Sequence, residues 1–305
     1  MKLTKKQKDR IFIIAMLAVP TIQFIVFWLL VNFGSFRLAF IDQYTEEFSL
    51  ENFSRFFRQW KKDIELGGAL KYAIQNTLIS MCITNFVNMP LVIFTSYILF
   101  KKFYGHTFFR VVFYLPALVG TLIMAMMQAY CLDATGPIVQ IGKALGIKWN
   151  FEVLQSGLLG NALSTRPTFF IIKLGISGAT VLLITGALNR IPRDIFDCGK
   201  LEGIGIFREF YNIALPLIWS TIGIMWVMSF ASGWGEYAST MLFTGGAYNT
   251  NTVGYYLMNT TLNATNGSEN FNYPAAMGLL LTAFVAPLTI FLRWLAEKFV
   301  DPVEF

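Results

Sequence analysis

Six stretches of this chain are long and apolar enough to cross a bilayer, and they restrict its fold more than any other feature. A spanning helix needs about 20 mostly apolar residues. Uncharged runs of that length occur at Ile11–Phe36, Tyr72–Phe100, Val111–Leu132, Phe210–Gly235 and Asn270–Leu292. A sixth, Pro167–Asn189, qualifies with one internal charge, Lys173. Val153–Thr165 is too short and too rich in Gly, Ser and Asn to make a seventh. Lipid offers the backbone no hydrogen-bond partners, so runs of this kind must satisfy their own amides as helices. The composition agrees, since only 14% of the 305 residues are charged, against about a quarter in soluble domains. The expected fold is an all-α membrane protein with six transmembrane helices.

Orientation follows from the lysines and arginines in the short flanks. Met1–Arg10 carries Lys2, Lys5, Lys6, Lys8 and Arg10. Lys101, Lys102, His106 and Arg110 lie between the second and third runs, and Arg190, Arg193, Lys200 and Arg208 between the fourth and fifth. Placing these segments in the cytoplasm puts Tyr237–Tyr273, which has no Lys or Arg, outside, and both termini inside. The expected location is therefore a bacterial or archaeal cytoplasmic membrane. The formal charge of +6 is spread between apolar runs, which argues for membrane orientation and against nucleic-acid binding. From Arg37 to Lys71 basic residues are balanced by Asp42, Glu46, Glu47, Glu51, Asp63 and Glu65, with Phe53, Phe56, Phe57 and Trp60 interleaved. That pattern predicts an amphipathic helix at the outer surface.

Other classes find little support. Cys82, Cys131 and Cys198 have no paired spacing and His106 is the sole histidine, so neither a disulfide framework nor a metal site is expected. The basic head and apolar run at the N-terminus are too long for a signal peptide and lack a cleavage site, and read as an uncleaved first span. No carboxylate pair or nucleophile–His arrangement suggests an enzyme.

The most informative segment is the polar connection from Ile191 to Pro216. Pro192 should stop the fourth span and Asp194 cap a short helix running to Glu202. Gly203 supplies a left-handed residue to end it, and a second helix from about Gly205 to Ala214 leads to Pro216. Phe207, Phe210, Tyr211, Ile213 and Ala214 fall on one face of that helix at helical spacing. A cytoplasmic helical hairpin of this kind is shaped to dock.

Here the chain resembles the permease subunits of binding-protein-dependent ATP-binding cassette (ABC) importers. Their signature loop reads Glu-Ala-Ala, two residues, Asp-Gly-Ala, five residues, Phe, two residues, Ile, one residue, Leu-Pro. Asp197-Cys198-Gly199 stands at the first triplet and Glu202-Gly203-Ile204 at the second, followed by Phe210, Ile213, Leu215 and Pro216, all at the family spacing. Cys198, Gly199 and Ile204 depart from alanine, while the two acids exchange Asp and Glu. Arg110 with Tyr114-Leu115-Pro116, the segment Gly136–Gly146, and Thr244-Gly245-Gly246 followed by Thr252 and Tyr255-Tyr256 are similar to the carbohydrate (maltose/glycerol-phosphate-type) branch.

The resemblance implies a type I importer permease, one transmembrane domain over residues 1–305, with 191–216 as the cytoplasmic coupling loop. Asp197, Cys198, Gly199, Glu202, Gly203, Ile204, Phe207 and Phe210 would meet the ATPase. The implied partners are a second permease, two ATP-binding ATPase subunits, an extracytoplasmic solute-binding protein and the lipid bilayer. This chain has no phosphate loop, so ATP and Mg would be used by the ATPase partner, with no cofactor here. The resemblance places the substrate pathway near Lys173, Ser177, Trp234, Glu236 and Tyr237, and implies a sugar or oligosaccharide as cargo. Neutral Asn85, Asn88, Gln128 and Tyr130 add hydrogen-bonding groups suited to sugars. Equally, Trp234 and Tyr237 fit an interfacial aromatic belt, and Asn85 and Asn88 fit hydrogen bonds between helices. The alternative function is a secondary carrier driven by an ion gradient. Such carriers bury ionisable residues near mid-membrane, and only Lys173 lies inside a span, close enough to its end to snorkel.

Overall fold

The computed structural model describes residues 5–42, 45, 47–175, 178–265 and 270–299. It is 79% helical, and among the described residues the sole β-type pairing is a single bridge between Ile41 and Phe48. Four helical stretches are long and apolar enough to cross a membrane: Ile11–Ala39, Ala69–Phe100, Leu122–Ala144 and Asn272–Lys298. A fifth crossing arises if Ile206–Leu217 and Trp219–Gly233, bent by 73° at their junction, count as one.

Three of the expected spans appear as long helices, at Ile11–Ala39, Ala69–Phe100 and Asn272–Lys298. The other three are interrupted, for local chemical reasons. His106–Leu118 contains Pro116 and ends at Val119 in an extended conformation, and Thr121–Leu132 starts afresh after Gly120. A proline inside a helix removes one backbone donor and crowds the preceding carbonyl, so the run Val111–Leu132 breaks near its middle. Leu122–Ala144 in turn passes through a tight turn at 133–136, where the Gly136 amide donates to the Asp133 carbonyl at 3.0 Å. The run Pro167–Asn189 divides into Thr165–Ile172 and Gly178–Leu188. A β-carbon on Gly178 would lie 1.8 Å from the Phe113 carbonyl oxygen, so glycine here lets Gly178–Leu188 approach the backbone of His106–Leu118. Ser177 lies outside the described residues. The run Phe210–Gly235 contains the 73° bend, whose hinge Ile218 follows Pro216 by two residues.

The chain divides into two compact units. The first holds residues 1–61 and 259–283. Within it, Asn52 donates to the carbonyls of Ala39 (3.1 Å) and Ile41 (2.9 Å), and Asn272 donates to Ile41 at 2.8 Å. These amides satisfy carbonyls that the end of the first helix leaves free. The amphipathic helix expected after the first span is present as Glu51–Leu66. Phe57, Trp60 and Ile64 form an exposed apolar stripe along it, while Asn52 and Asp63 are buried.

The second unit, residues 62–258 and 284–305, contains a buried apolar cluster. Ala69–Phe100 is its central element and packs against Gly178–Leu188 and the segment leading into Trp219–Gly233. Tyr97, Ile184, Leu188, Phe210 and Ala214 lie within the cluster. In lipid, close packing and interhelical hydrogen bonds rather than water exclusion hold such helices together. Ser96 does both, donating to the Val92 carbonyl of its own helix (2.7 Å) and the Val181 carbonyl of the next (3.3 Å).

Candidate coupling hairpin and substrate-pathway residues

The polar segment after Leu188 folds as two short helices, Arg193–Leu201 and Ile206–Glu209, the latter continuing through a π-helical turn at Phe210–Ala214. Pro192 occupies the N-cap of the first helix and makes no side-chain capping bond. Asp194, expected as the cap, instead sits in the first turn, where its charge faces the positive end of the helix dipole. Proline pre-sets a backbone angle suited to the helix entrance, which moves the start two residues upstream. The helix ends as expected. Gly203 has φ +72°, its amide donates to the Lys200 carbonyl at 3.0 Å, and the Ile204 amide donates to the Gly199 carbonyl at 3.0 Å. This pair of closing bonds suits a glycine just past a helix end.

The two helices touch through small and branched residues. A β-carbon on Gly199 would lie 2.9 Å from the Ile213 side chain and 3.8 Å from that of Ile204. Loss of a methyl at Gly199 and gain of bulk at Ile204, relative to the alanines of the resembled loop, occur across the same contact. Phe210 is buried against Tyr97 and Phe94, with ring centroids at 5.1 and 5.6 Å. The hairpin's other face is open: Leu201 is 89% exposed and Phe207 67%, with Ile206 and Tyr211 similarly uncovered. Asp197 accepts from Lys200 at 2.7 Å on the surface. That hydrogen bond and the charge behind it hold the Asp197 carboxyl below its ordinary 3.8 and raise Lys200. Cys198 and Glu202 are also exposed.

The residues singled out for the substrate pathway are partly brought together. Lys173 donates to Glu236 at 3.0 Å and to Ser239 at 2.5 Å, and its ammonium lies 5.3 Å from the Phe169 ring centre. Glu236 also accepts from the Ser239 amide (2.9 Å) and hydroxyl (2.8 Å). The two charges therefore neutralise one another, a pairing across 63 residues that the linear order does not announce. Trp234 is 5% exposed, with Phe230 and Phe284 edge-on to its ring. Tyr237 is exposed. Asn88 donates to the Gly175 carbonyl at 2.9 Å and Asn85 to the Met81 carbonyl of its own helix at 2.9 Å. Both amides lie in a π-helical turn, Ile83–Asn88, and their carbonyl oxygens are buried without a partner among the described residues. Tyr130 is exposed.

One group was not singled out in the sequence. Asn76, near the start of Ala69–Phe100, donates to the Asn249 (2.7 Å) and Asn251 (2.9 Å) carbonyls and accepts from Arg166 at 3.1 Å. The Val253 amide donates to Thr77 at 2.9 Å, and Thr240 and Thr252 share a bond at 3.1 Å. Together they pin the loop 244–252 over the start of this helix, at the end opposite the hairpin. The clue in the sequence was the density of Thr and Asn between Thr240 and Thr252. Among the described residues no group of three potential metal ligands is present.

No family model matches the chain. It is 26% identical over 200 residues, 65% of its length and 66% of the relative's, to the multiple sugar-binding transport system permease protein MsmF of Streptococcus mutans serotype c. Over 293 residues, 90% of this chain and 79% of the relative, it is 23% identical to the diacetylchitobiose uptake system permease protein NgcF of Streptomyces coelicolor. Among solved structures, it superposes on a chain of a bacterial alginate ABC transporter, crystallised in complex with an alginate pentasaccharide-bound periplasmic protein. The TM-score is 0.80 at 16% identity, covering 100% of both chains. The chain thus has the fold of an ABC importer permease and is similar in sequence to the permeases of sugar transport systems.

Proposed function

We propose that this chain is the membrane-spanning permease subunit of an ATP-driven, binding-protein-dependent importer of a sugar or oligosaccharide. The observation that carries this reading is the hairpin 193–209. It combines the spacing of the coupling loop, a left-handed Gly203 at its corner, a buried root at Phe210 and an uncovered apolar tip at Leu201, Ile206 and Phe207. An exposed apolar tip on a polar segment of a membrane protein marks a contact surface. On this reading the tip and the neighbouring Asp197, Cys198, Gly199, Glu202 and Ile204 seat in an ATPase subunit. Two such ATPases hydrolyse ATP with Mg, a second permease completes the pathway, and an extracytoplasmic binding protein delivers the sugar.

The chain crosses the membrane six times. Its third, fourth and fifth crossings are helices interrupted at Val119–Gly120, at residues 173–175 and at Ile218, and both termini lie in the cytoplasm. Broken helices are frequent where a transporter builds its substrate path. The Lys173–Glu236–Ser239 cluster lies beside the second break, and Ser177 follows Lys173 by four residues in the sequence. Trp234 is buried against Phe230 and Phe284, and Tyr237 offers an accessible ring. Mutual neutralisation of Lys173 and Glu236 fits a neutral sugar, and a pair so engaged is unlike the free intramembrane charge that an ion-coupled carrier uses.

The test is reconstitution of the purified complex with its co-purifying binding protein, using maltotriose, diacetylchitobiose and alginate oligosaccharides as cargo. ATP hydrolysis should rise with loaded binding protein, and uptake should need ATP inside the vesicle. Uptake that continues in ATP-depleted vesicles under an ion gradient would replace this reading with a secondary carrier.

A further inference from the structure

The hairpin is held to more than its own helix. Glu209, which closes Ile206–Glu209, is 2% exposed and forms an ion pair with Lys101, the residue that follows Ala69–Phe100. The Lys101 ammonium also lies 5.2 Å from the Phe196 ring centre and 5.7 Å from that of Tyr97, between the two hairpin helices and the helix end. Tyr97, fully buried, donates its hydroxyl to the Ile206 carbonyl at 3.3 Å, a carbonyl in the first turn of the second hairpin helix. Phe100 packs on Phe196 of the first hairpin helix at 5.2 Å, and Phe94 stacks on Phe207 at 6.2 Å. Both arms of the hairpin are therefore gripped by one helix end, and the grip has one charged bond at its centre.

We propose that the Lys101–Glu209 pair is a positioning latch that makes Ala69–Phe100 move with the coupling hairpin. A buried charge stripped of its partner is strongly unfavourable. The pair therefore resists any separation of the hairpin from this helix that does not bring in water or another counter-ion. Glu209 is the buried member of the pair and Lys101, beside the Tyr97 and Phe196 rings, keeps a quarter of its side chain exposed, so the buried carboxylate is the charge that fixes the register. Force applied at the hairpin tip thus reaches Ala69–Phe100 directly, besides passing through Pro216 into Trp219–Gly233. This inference rests on the proposed role of the hairpin, and neither residue touches the cargo.

The experiment uses the reconstituted complex with its binding protein and the same three oligosaccharides. It compares stimulated with unstimulated ATP hydrolysis in wild type, Lys101→Met, Glu209→Gln and the charge-exchanged double variant Lys101→Glu/Glu209→Lys. The single variants should lose stimulation by about tenfold, within the range of typical coupling energies. The exchanged pair should recover most of it, which a residue serving only as filler would not do. Full stimulation in either single variant overturns the latch, and so does an exchanged pair that does not recover, whatever the single variants do. Absence of stimulation in the wild-type complex with all three sugars instead strikes the proposed function itself.

Discussion

At Gly203 the backbone lies at φ +72° and the amide is bonded to Lys200, while no atom stands within 4 Å of where a β-carbon would sit. The requirement there is conformational and not steric. Gly203→Ala should cost about 1 kcal/mol of local stability, whereas Gly203→Pro cannot reach the angle and deletes the donor. Insertion should survive both, with sugar-stimulated ATP hydrolysis reduced modestly in the first and abolished in the second. Wild-type stimulation in Gly203→Pro would remove the hairpin from the coupling step. The Asp197–Lys200 bond lowers the Asp197 pKa, so its contribution is complete above the ordinary carboxyl value of 3.8 and fades as pH falls through the depressed value. Asp197→Asn should therefore match wild type only in strong acid, measured as hairpin protection from protease. Lys173 and Glu236 make a second residue-scale case. Lys173→Met and Glu236→Gln each leave one partly buried charge alone, so each should weaken transport. The double variant should be less impaired than the sum by about 1 kcal/mol; strict additivity would mean that the pair does not act as a unit.

Among the elements, Ala69–Phe100 is held at both ends: Asn76 binds the loop 244–252 and Tyr97 receives the hairpin. Asn76→Ala removes two hydrogen bonds to part-buried carbonyls, each such bond contributing about 0.5–1.5 kcal/mol. The expected result is faster proteolysis within 244–252 and a lower thermal midpoint, with the hairpin end unaffected. The bend at Ile218 is the other element-scale feature. Pro216 cannot donate to the carbonyl four residues earlier and clashes with it, which makes a continuous helix from Ile206 to Gly233 unfavourable. Pro216→Ala should allow a straighter path and swing the hairpin away from Tyr97. The readout is loss of stimulated ATP hydrolysis in a chain that still inserts and assembles.

Across the whole molecule, Asn76 and Tyr97 are separated by a helix rising about 1.5 Å per residue, roughly 32 Å, close to the hydrocarbon thickness of a bilayer. On the proposed topology the polar loop and the hairpin therefore belong to opposite membrane faces. The orientation predicts that a single cysteine at Asn263 reacts with an impermeant reagent in intact cells, and one at Gly105 does not, in a chain whose native cysteines have been replaced. The reverse labelling would invert the topology.

Much of this is legible in the sequence. Long apolar runs dictate helices because lipid leaves the backbone no other partner, and three of the six runs are long helices. Pro192, Gly203 and Pro216 announce the hairpin, since each proline fixes its own backbone angle and glycine opens the left-handed region that other residues avoid. The interruptions in the third and fourth apolar runs are not legible, because an apolar run reads the same whether its helix is straight or broken. Gly178 shows its purpose only against the Phe113 carbonyl it must approach. Nor could spacing pair Lys173 with Glu236, Lys101 with Glu209, or Asn76 with 249 and 251, since those bonds join residues 63 to 175 positions apart. Local constraints on dihedral angle and solvation are written residue by residue and determined the elements. Which charge meets which, and which helix carries the hairpin, depends on where packing brings distant segments, and only the tertiary structure decided that.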